Sequence, residues 1–121
     1  YGFAYGVGGN ALAGKILFNA VTCGGRAEAY TKKGSNHCPL RDLFAPFEQT
    51  ANLCEMQYIS PFALFAAGHA KEENRLDKYI ENYKMLLTAF VEDRVDIKYA
   101  GKQKNLTDKM DRLIQVKQEV L

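Results

Sequence analysis

The feature that most constrains the fold is a short apolar run that ends abruptly in two glycines. The run covers residues 16–21 and its hydrophobic members are Ile16, Leu17, Phe18, Ala20 and Val21. Such a run is typical of a strand that is buried on both faces of a parallel sheet. Small side chains and bare backbone follow it, namely Thr22, Cys23, Gly24 and Gly25. Ligands bind at the carboxyl ends of strands in open α/β sheets, so this turn is a candidate binding site.

Two adjacent glycines at the end of a strand have a specific use in ligand binding. Because Gly24 and Gly25 lack a Cβ, the main chain there can approach a flat ligand and direct N–H groups at its edge. Tyr30 follows closely enough in the sequence to cover such a ligand. An ordinary strand-to-loop turn is the alternative interpretation, and the local sequence alone leaves both open.

Composition and charge limit the classes of protein to which the chain can belong. A chain of 121 residues forms one domain at most, and no apolar run reaches the roughly 20 residues of a membrane span. Residues 1–97 hold 10 basic and 11 acidic residues, whereas residues 98–121 hold 6 and 3. A nucleic-acid surface is usually more concentrated, so we expect no nucleic-acid partner. Three cysteines without C-x-x-C spacing predict neither disulfides nor a metal site, and they suit a cytoplasmic location.

The hydrophobic pattern predicts an alternation of strands and helices. Residues 1–14 are so rich in glycine that we expect a loop. Strands are predicted at 15–22 and 56–65. Between them the pattern predicts a long polar loop, a short helical piece at 40–44 and a longer helix that Pro46 begins in its first turn.

The second half of the chain is predicted to be mostly helical. The clearest amphipathic pattern runs over residues 76–91. A polar linker at 98–104 precedes a predicted amphipathic helix over 105–121, capped by Asn105. The aromatic and aliphatic residues that we expect in the core are Phe44, Phe47, Tyr79, Ile80 and Tyr83.

Two parallel strands with their helices make only part of a sheet. Their outer faces and one hydrogen-bonding edge would stay unpaired. We therefore expect partner strands, either from an amino-terminal half that is missing from the chain or from a second molecule. The chain begins at Tyr1 without an initiator methionine, which agrees with a missing beginning.

A series of motifs supports a more specific interpretation. In chain order they are Gly2-Phe3-Ala4-Tyr5-Gly6-x-Gly8-Gly9-Asn10-x-Leu12-x-Gly14-Lys15, Val21-Thr22-x-Gly24-Gly25 with Tyr30, Pro46-Phe47-Glu48-Gln49-Thr50-Ala51-Asn52-Leu53-Cys54-x-Met56, and Pro61-Phe62. This series resembles the carboxyl-terminal half of the flavodoxin-like NAD(P)H:quinone oxidoreductases. That family includes the two-electron quinone reductases and the ancillary proteins of glutathione-gated potassium efflux systems. The resemblance covers residues 2–92.

The resemblance implies an α/β fold of the flavodoxin-like type, with three layers and a five-stranded parallel sheet in the order 2-1-3-4-5. Residues 1–97 would supply the last two strands and their helices, and residues 98–121 a linker and a C-terminal amphipathic helix. In the family, hydride passes from NAD(P)H to FMN or FAD and then to a quinone that stacks in the same place. The resemblance therefore implies an NAD(P)H dehydrogenase (quinone) that is commonly a homodimer.

The resemblance also implies roles for particular residues. The turn at 22–25 matches the segment along the isoalloxazine edge, and Tyr30 matches its flanking aromatic residue. The implied cofactor-binding residues are Thr22, Cys23, Gly24, Gly25, Tyr30 and Arg75. The implied substrate-binding residues are Tyr5, which matches an aromatic on the substrate side, and Asn36. Tyr5 and Tyr30 are the implied catalytic residues, with His37 as another source of protons.

Two departures from the family pattern leave alternatives open. Cys23 stands where the family more often has a second threonine, so one hydroxyl that could bond the flavin is lost. The flavin phosphate site and the aromatic floor under the ring belong to the family's first three strands, which this sequence does not show. The chain is therefore also compatible with an ancillary regulatory subunit that contacts a membrane transporter, or with a non-catalytic piece of the fold.

Overall fold

Two interrupted strands lie at the centre of the computed structural model, which describes residues 1–116. The first consists of β1 (Ile16–Leu17) and β2 (Ala20–Thr22), the second of β3 (Gln57–Tyr58) and β4 (Phe62–Leu64). β1 pairs with β3 and β2 with β4, both in parallel. The prediction of two parallel strands is therefore confirmed, although each is shorter than predicted. Pro61 lies at the interruption of the second strand, because its ring nitrogen cannot donate to a ladder.

Helices cover both faces of these strands and form three layers. Successive strand residues point to opposite faces, so Phe62 and Ala63 belong to different core clusters. The helix α1 (Ala45–Leu53) follows a 3₁₀ segment at Leu40–Phe44, which packs on the Ala63 side. The helix α2 (Leu76–Val91) packs on the Phe62 side. Both helices have the predicted positions, and Pro46 lies in the first turn of α1.

The free edge of the sheet lies along β2. The ladder bonds from Phe62 N to Asn19 O and from Cys23 N to Leu64 O use odd-numbered residues of the first strand. Ala20 and Thr22 therefore direct their main-chain groups to the other edge, where no strand pairs among residues 1–116. Both residues are exposed, so the prediction of a strand buried on both faces is wrong for β2.

Some predicted core residues lie at the surface. Phe47 on α1 is 50% exposed and Ile80 on α2 is 42% exposed, so both predictions were wrong. Phe44, Tyr79 and Tyr83 do pack against the core clusters. The two helices therefore each present apolar side chains to solvent beside a sheet with a free edge.

The C-terminal part of the chain differs most from the prediction. Residues 98–104 are not a free linker, because α3 (Ile97–Ala100) occupies part of them and Ala100 is fully buried. The predicted helix over 105–121 is wrong for residues 105–109 and 114–116, since only α4 (Met110–Leu113) is helical. Ile114 is extended and forms an antiparallel bridge with Val95. The remainder of that prediction, 117–121, lies outside the described residues.

The reason is that the main chain near residue 106 bonds to the sheet. Leu106 N donates to Pro61 O at 2.8 Å, and Ser60 N donates to Ala100 O at 3.2 Å. These bonds attach residues 100 and 106 to the second strand just before β4 begins. Within the described residues, no helix is both long and apolar enough to cross a membrane.

Candidate functional site

The candidate site is built around the turn at residues 22–25, called the glycine turn from here on. It begins at Thr22, the last residue of β2, and two hydrogen bonds fasten it to the segment after β4. Ala66 N donates to Gly25 O at 2.8 Å, and Ala67 N donates to Cys23 O at 3.0 Å. These bonds use the carbonyl groups of Cys23 and Gly25 and not the amides of Gly24 and Gly25.

The amides of Gly24 and Gly25 differ from that of Cys23, which donates to Leu64 O. In the described part of the chain, neither Gly24 N nor Gly25 N has a hydrogen-bond acceptor. Gly24 is exposed, and a Cβ added there would meet nothing within 4 Å. Two unpaired N–H groups, one of them on the exposed Gly24, suit the polar edge of a planar ligand.

Tyr30 forms one wall of the site. It ends the 3₁₀ turn at Ala27–Ala29, and its ring packs on Phe65 with centroids 5.6 Å apart. A Cβ on Gly25 would lie 3.3 Å from the ring of Tyr30 and 3.3 Å from Ala29 Cβ. The structure therefore brings Tyr30 and Gly25 together, and the missing Cβ of Gly25 leaves room for this close approach.

The side chain of Cys23 points into the protein and not into the site. It is 7% exposed and belongs to the cluster of Leu40 and Ala63. Burial raises the pKa of the Cys23 thiol, and a hydrogen bond with Tyr30 offsets this in part. A thiol held protonated in this way is a poor nucleophile, so Cys23 serves the site through its main chain. Thr22 is exposed at the end of β2.

Arg75 lies beside the site but uses its donors on the protein itself. Its Nη1 donates to Phe65 O at 2.8 Å and its Nη2 to Ala66 O at 3.0 Å. Its Nε donates to Glu73 at 3.0 Å. In this structure Arg75 holds the segment after β4, and it lies close enough to the glycine turn to support it.

A salt-bridge triad of Arg26, Glu73 and Arg75 was missed by the sequence reasoning. Arg26 donates to both carboxylate oxygens of Glu73, at 3.3 and 2.8 Å. These two hydrogen bonds, followed by the one from Arg75, lower the pKa of Glu73 from 4.5 to about 2. Because 47 residues separate Arg26 from Glu73, no local spacing in the sequence could have indicated the pair.

A cavity of about 440 Å³ adjoins the triad at the carboxyl end of β4. Arg26, Phe65 and Arg75 line it, together with Lys78 and Tyr79 from the first turns of α2. Its volume is in the range of small-molecule sites. The glycine turn and this cavity thus lie at the same end of the two strands.

The remaining predicted residues lie in two different places. Asn36 N donates to Ala29 O at 3.0 Å, so Asn36 lies beside the turn that carries Tyr30. Tyr5 lies in the loop at 1–14 and contacts Tyr1, with ring centroids 6.2 Å apart. That loop is fastened at the amino ends of the strands, where Gly14 N donates to Glu55 O at 2.9 Å. The structure therefore brings Asn36 near Tyr30 but does not bring Tyr5 to the glycine turn.

Comparisons with known proteins agree on one fold. Residues 1–87 match a family model described as flavodoxin-like fold. General stress protein 14 of Bacillus subtilis is 40% identical over 87 residues, which cover 67% of this chain and 50% of that protein. The glutathione-regulated potassium-efflux system ancillary protein KefG of Pectobacterium carotovorum is 46% identical over 66 residues, covering 54% of this chain and 36% of that protein.

A solved structure gives the same result. The crystal structure of general stress protein 14 from Treponema denticola in complex with FMN aligns with a TM-score of 0.64 at 34% identity. The alignment covers 74% of this chain and 50% of that one. The chain therefore spans half or less of the length of these relatives.

Proposed function

The chain belongs to the flavodoxin-like fold family, and on that premise we propose that its glycine turn binds the edge of a flavin in an oxidoreductase. The observation that supports this most directly is that the amides of Gly24 and Gly25, at the carboxyl end of β2, have no hydrogen-bond partner among residues 1–116. The solved relative in complex with FMN makes FMN the first cofactor to test, with FAD as the alternative.

The residues of the turn fit the polar edge of such a ring. A flavin supplies hydride transfer when bound, and it gains negative charge at this edge on reduction. Fixed N–H donors at Gly24 and Gly25 would stabilise that charge without reorganisation. Tyr30 and Arg75 would flank the ring, with Tyr30 held in place by Phe65 and Arg75 by the carbonyls after β4.

The proposed reaction is hydride transfer from NAD(P)H through the flavin to a quinone or a similar small acceptor, in the cytoplasm. Tyr30 and Asn36 lie on one side of the turn and would contact the acceptor. Tyr5 could take part only if its loop lay near the turn of another subunit or in another conformation. A homodimer is the assembly that we propose to test first.

The sheet is proposed to gain further strands along β2. Ala20 and Thr22 expose main-chain groups at that edge, and Phe47 and Ile80 expose apolar surface on the two helix layers. A flanking strand would pair with the β2 edge, and its helices would pack beside the two helix layers. These strands would come from another segment of polypeptide or from a second copy of the chain.

The experiment uses the native gene product that carries these 121 residues. We expect it to purify with, or to take up, FMN or FAD, and to show a visible absorbance that NADH or NADPH bleaches and a quinone restores. A protein that stays colourless after reconstitution with both flavins would rule out the proposed site. The 121-residue chain is measured in parallel, to learn whether it binds flavin by itself.

A second candidate function is that of an ancillary subunit. The similarity to KefG, an ancillary protein of a potassium-efflux system, favours it. In that case the surface would contact a membrane transporter. Co-purification with a transporter from detergent-solubilised membranes, and a defect in potassium efflux on deletion while quinone reduction persists, would support this candidate.

A further inference from the structure

A ring of interactions connects the glycine turn to the segment after β4. Gly25 O accepts from Ala66 N, and Ala66 O accepts from Arg75 Nη2. Arg75 then contacts Glu73, which binds Arg26. Because Arg26 follows Gly25 in the chain, the ring closes on itself.

Ala66 is a strained member of this ring. Its φ is 47°, in the left-handed region that residues other than glycine rarely adopt. Such a conformation costs free energy and persists only when the surrounding contacts fix it. The bond from Arg75 to Ala66 O and the bond from Ala66 N to Gly25 O supply that fixation.

Glu73 is the residue on which the ring depends. Its carboxylate lies between the guanidinium groups of Arg26 and Arg75, with nitrogen–oxygen distances of 2.8 Å to each. Without that negative charge, the two positive groups would repel each other across the turn. Each ion pair is partly exposed, so its contribution is modest, but the two pairs share Glu73 and together join the loop after β2 to the segment after β4.

We propose that Glu73 is a positioning residue that, through Arg26 and Arg75, holds the amides of Gly24 and Gly25 in the orientation that binds the flavin. The proposal rests on the proposed function for its ligand but not for its geometry. It predicts that neutralising Glu73 loosens the bonds from Ala66 and Ala67 to the glycine turn and weakens flavin binding.

The test compares Glu73→Gln with Glu72→Gln in the native gene product. Glu72 is adjacent and exposed, and it makes no hydrogen bond or ion pair with the residues described. Two quantities are measured for each variant: the dissociation constant for FMN and the hydrogen-exchange rates of the Ala66 and Ala67 amides. For Glu73→Gln we expect both to rise by between about three- and tenfold, while Glu72→Gln leaves both unchanged. Glu73→Asp keeps the negative charge, so its FMN dissociation constant and its exchange rates should be close to those of the wild type.

The outcomes separate this proposal from the function on which it rests. If the wild-type protein binds no flavin, the proposed function fails, and the exchange rates alone decide the role of Glu73. If Glu73→Gln leaves the exchange rates of Ala66 and Ala67 unchanged, the positioning role is wrong, whatever happens to FMN. If exchange rises but FMN affinity does not, Glu73 orders the loop without positioning the amides, and the proposal is also overturned.

Discussion

The hydroxyl of Thr107 makes two hydrogen bonds to the main chain of Ala63: it accepts from Ala63 N at 3.1 Å and donates to Ala63 O at 2.8 Å. Ala63 is fully buried in the middle of β4. One side chain thus satisfies both polar groups that a neighbouring strand would otherwise satisfy. As a result the β4 edge is covered from within the chain, and among residues 1–116 no strand pairs with the outer edge of β2.

We therefore expect Thr107→Val to destabilise the fold. Valine has the same shape but leaves both main-chain groups of Ala63 without a partner in a buried position, which costs about 1–3 kcal/mol. The free energy of unfolding in urea measures the loss. Thr88→Val is the matched control, because Thr88 is exposed on α2. Equal stabilities for the two variants would show that the Thr107 bonds do not hold the edge.

The contribution of a single amide of the glycine turn to flavin binding can be tested at Gly24. Gly24→Pro removes the N–H, whereas Gly24→Ala keeps it and adds a Cβ that meets nothing within 4 Å. Loss of one hydrogen bond to a bound flavin should weaken FMN binding about tenfold in Gly24→Pro and leave Gly24→Ala close to wild type. Fluorescence titration with FMN gives both constants. The proposed contact is wrong if the alanine variant loses as much affinity as the proline variant.

Gly25 should respond differently from Gly24. A Cβ at Gly25 would lie 3.3 Å from both Ala29 Cβ and the ring of Tyr30, so Gly25→Ala requires Ala29 and the Tyr30 ring, which packs on Phe65, to shift by a few tenths of an ångström. We expect Gly25→Ala to weaken FMN binding by about tenfold and to change the near-ultraviolet circular dichroism of the tyrosines, with neither change in Gly24→Ala. A wild-type spectrum for Gly25→Ala would mean that Tyr30 does not pack on this glycine.

The fold was predictable from the sequence wherever local chemistry decides it. Pro46 begins α1, and the apolar periodicity of α2 has the observed bounds, because both depend on residues within a few turns. The segment after residue 104 was not predictable, since its donors bond to Pro61 and Ala63, more than 40 residues away. Apolar spacing at Leu106, Met110 and Leu113 indicated burial correctly, but burial against a sheet edge does not require a helix.

The candidate site likewise has one part that the sequence predicted and one part that it did not. The glycine turn and Tyr30 are neighbours in the sequence, and the structure keeps them together. The triad of Arg26, Glu73 and Arg75 joins two loops that follow different strands, so only the folded chain reveals it. The motif series also indicated the family, because its order along the chain carries more information than any single motif.

Stability should depend on pH through Glu73. Its pKa in the folded chain is about 2, whereas the unfolded carboxyl keeps its ordinary value of 4.5. The unfolded state therefore binds this proton first as pH falls, so the contribution of Glu73 is complete above the unfolded pKa and is lost through the folded one. The difference in urea midpoint between wild type and Glu73→Gln should be constant from neutral pH to about pH 5 and vanish near pH 2. Glu72→Gln serves as the control, and a difference that persists at the acid end would contradict the assignment.

Two phenylalanines, one buried and one half exposed, should contribute differently to the free energy of unfolding. Phe62 is fully buried, and its ring stacks on the rings of Tyr79 and Tyr83, with centroid distances of 4.8 and 5.6 Å. Phe62→Ala should therefore cost about 3–5 kcal/mol of unfolding free energy, and Phe62→Leu, which fills more of the cavity, clearly less. Phe47 is half exposed, and its ring centroid lies 6.0 Å from that of Phe44. Phe47→Ala should therefore lower the free energy of unfolding by no more than about 1 kcal/mol. Urea unfolding of the three variants decides this. A cost for Phe47→Ala as large as that for Phe62→Ala would mean that another surface covers Phe47 in solution, and the sedimentation of that variant would then show whether the surface belongs to a second copy of the chain.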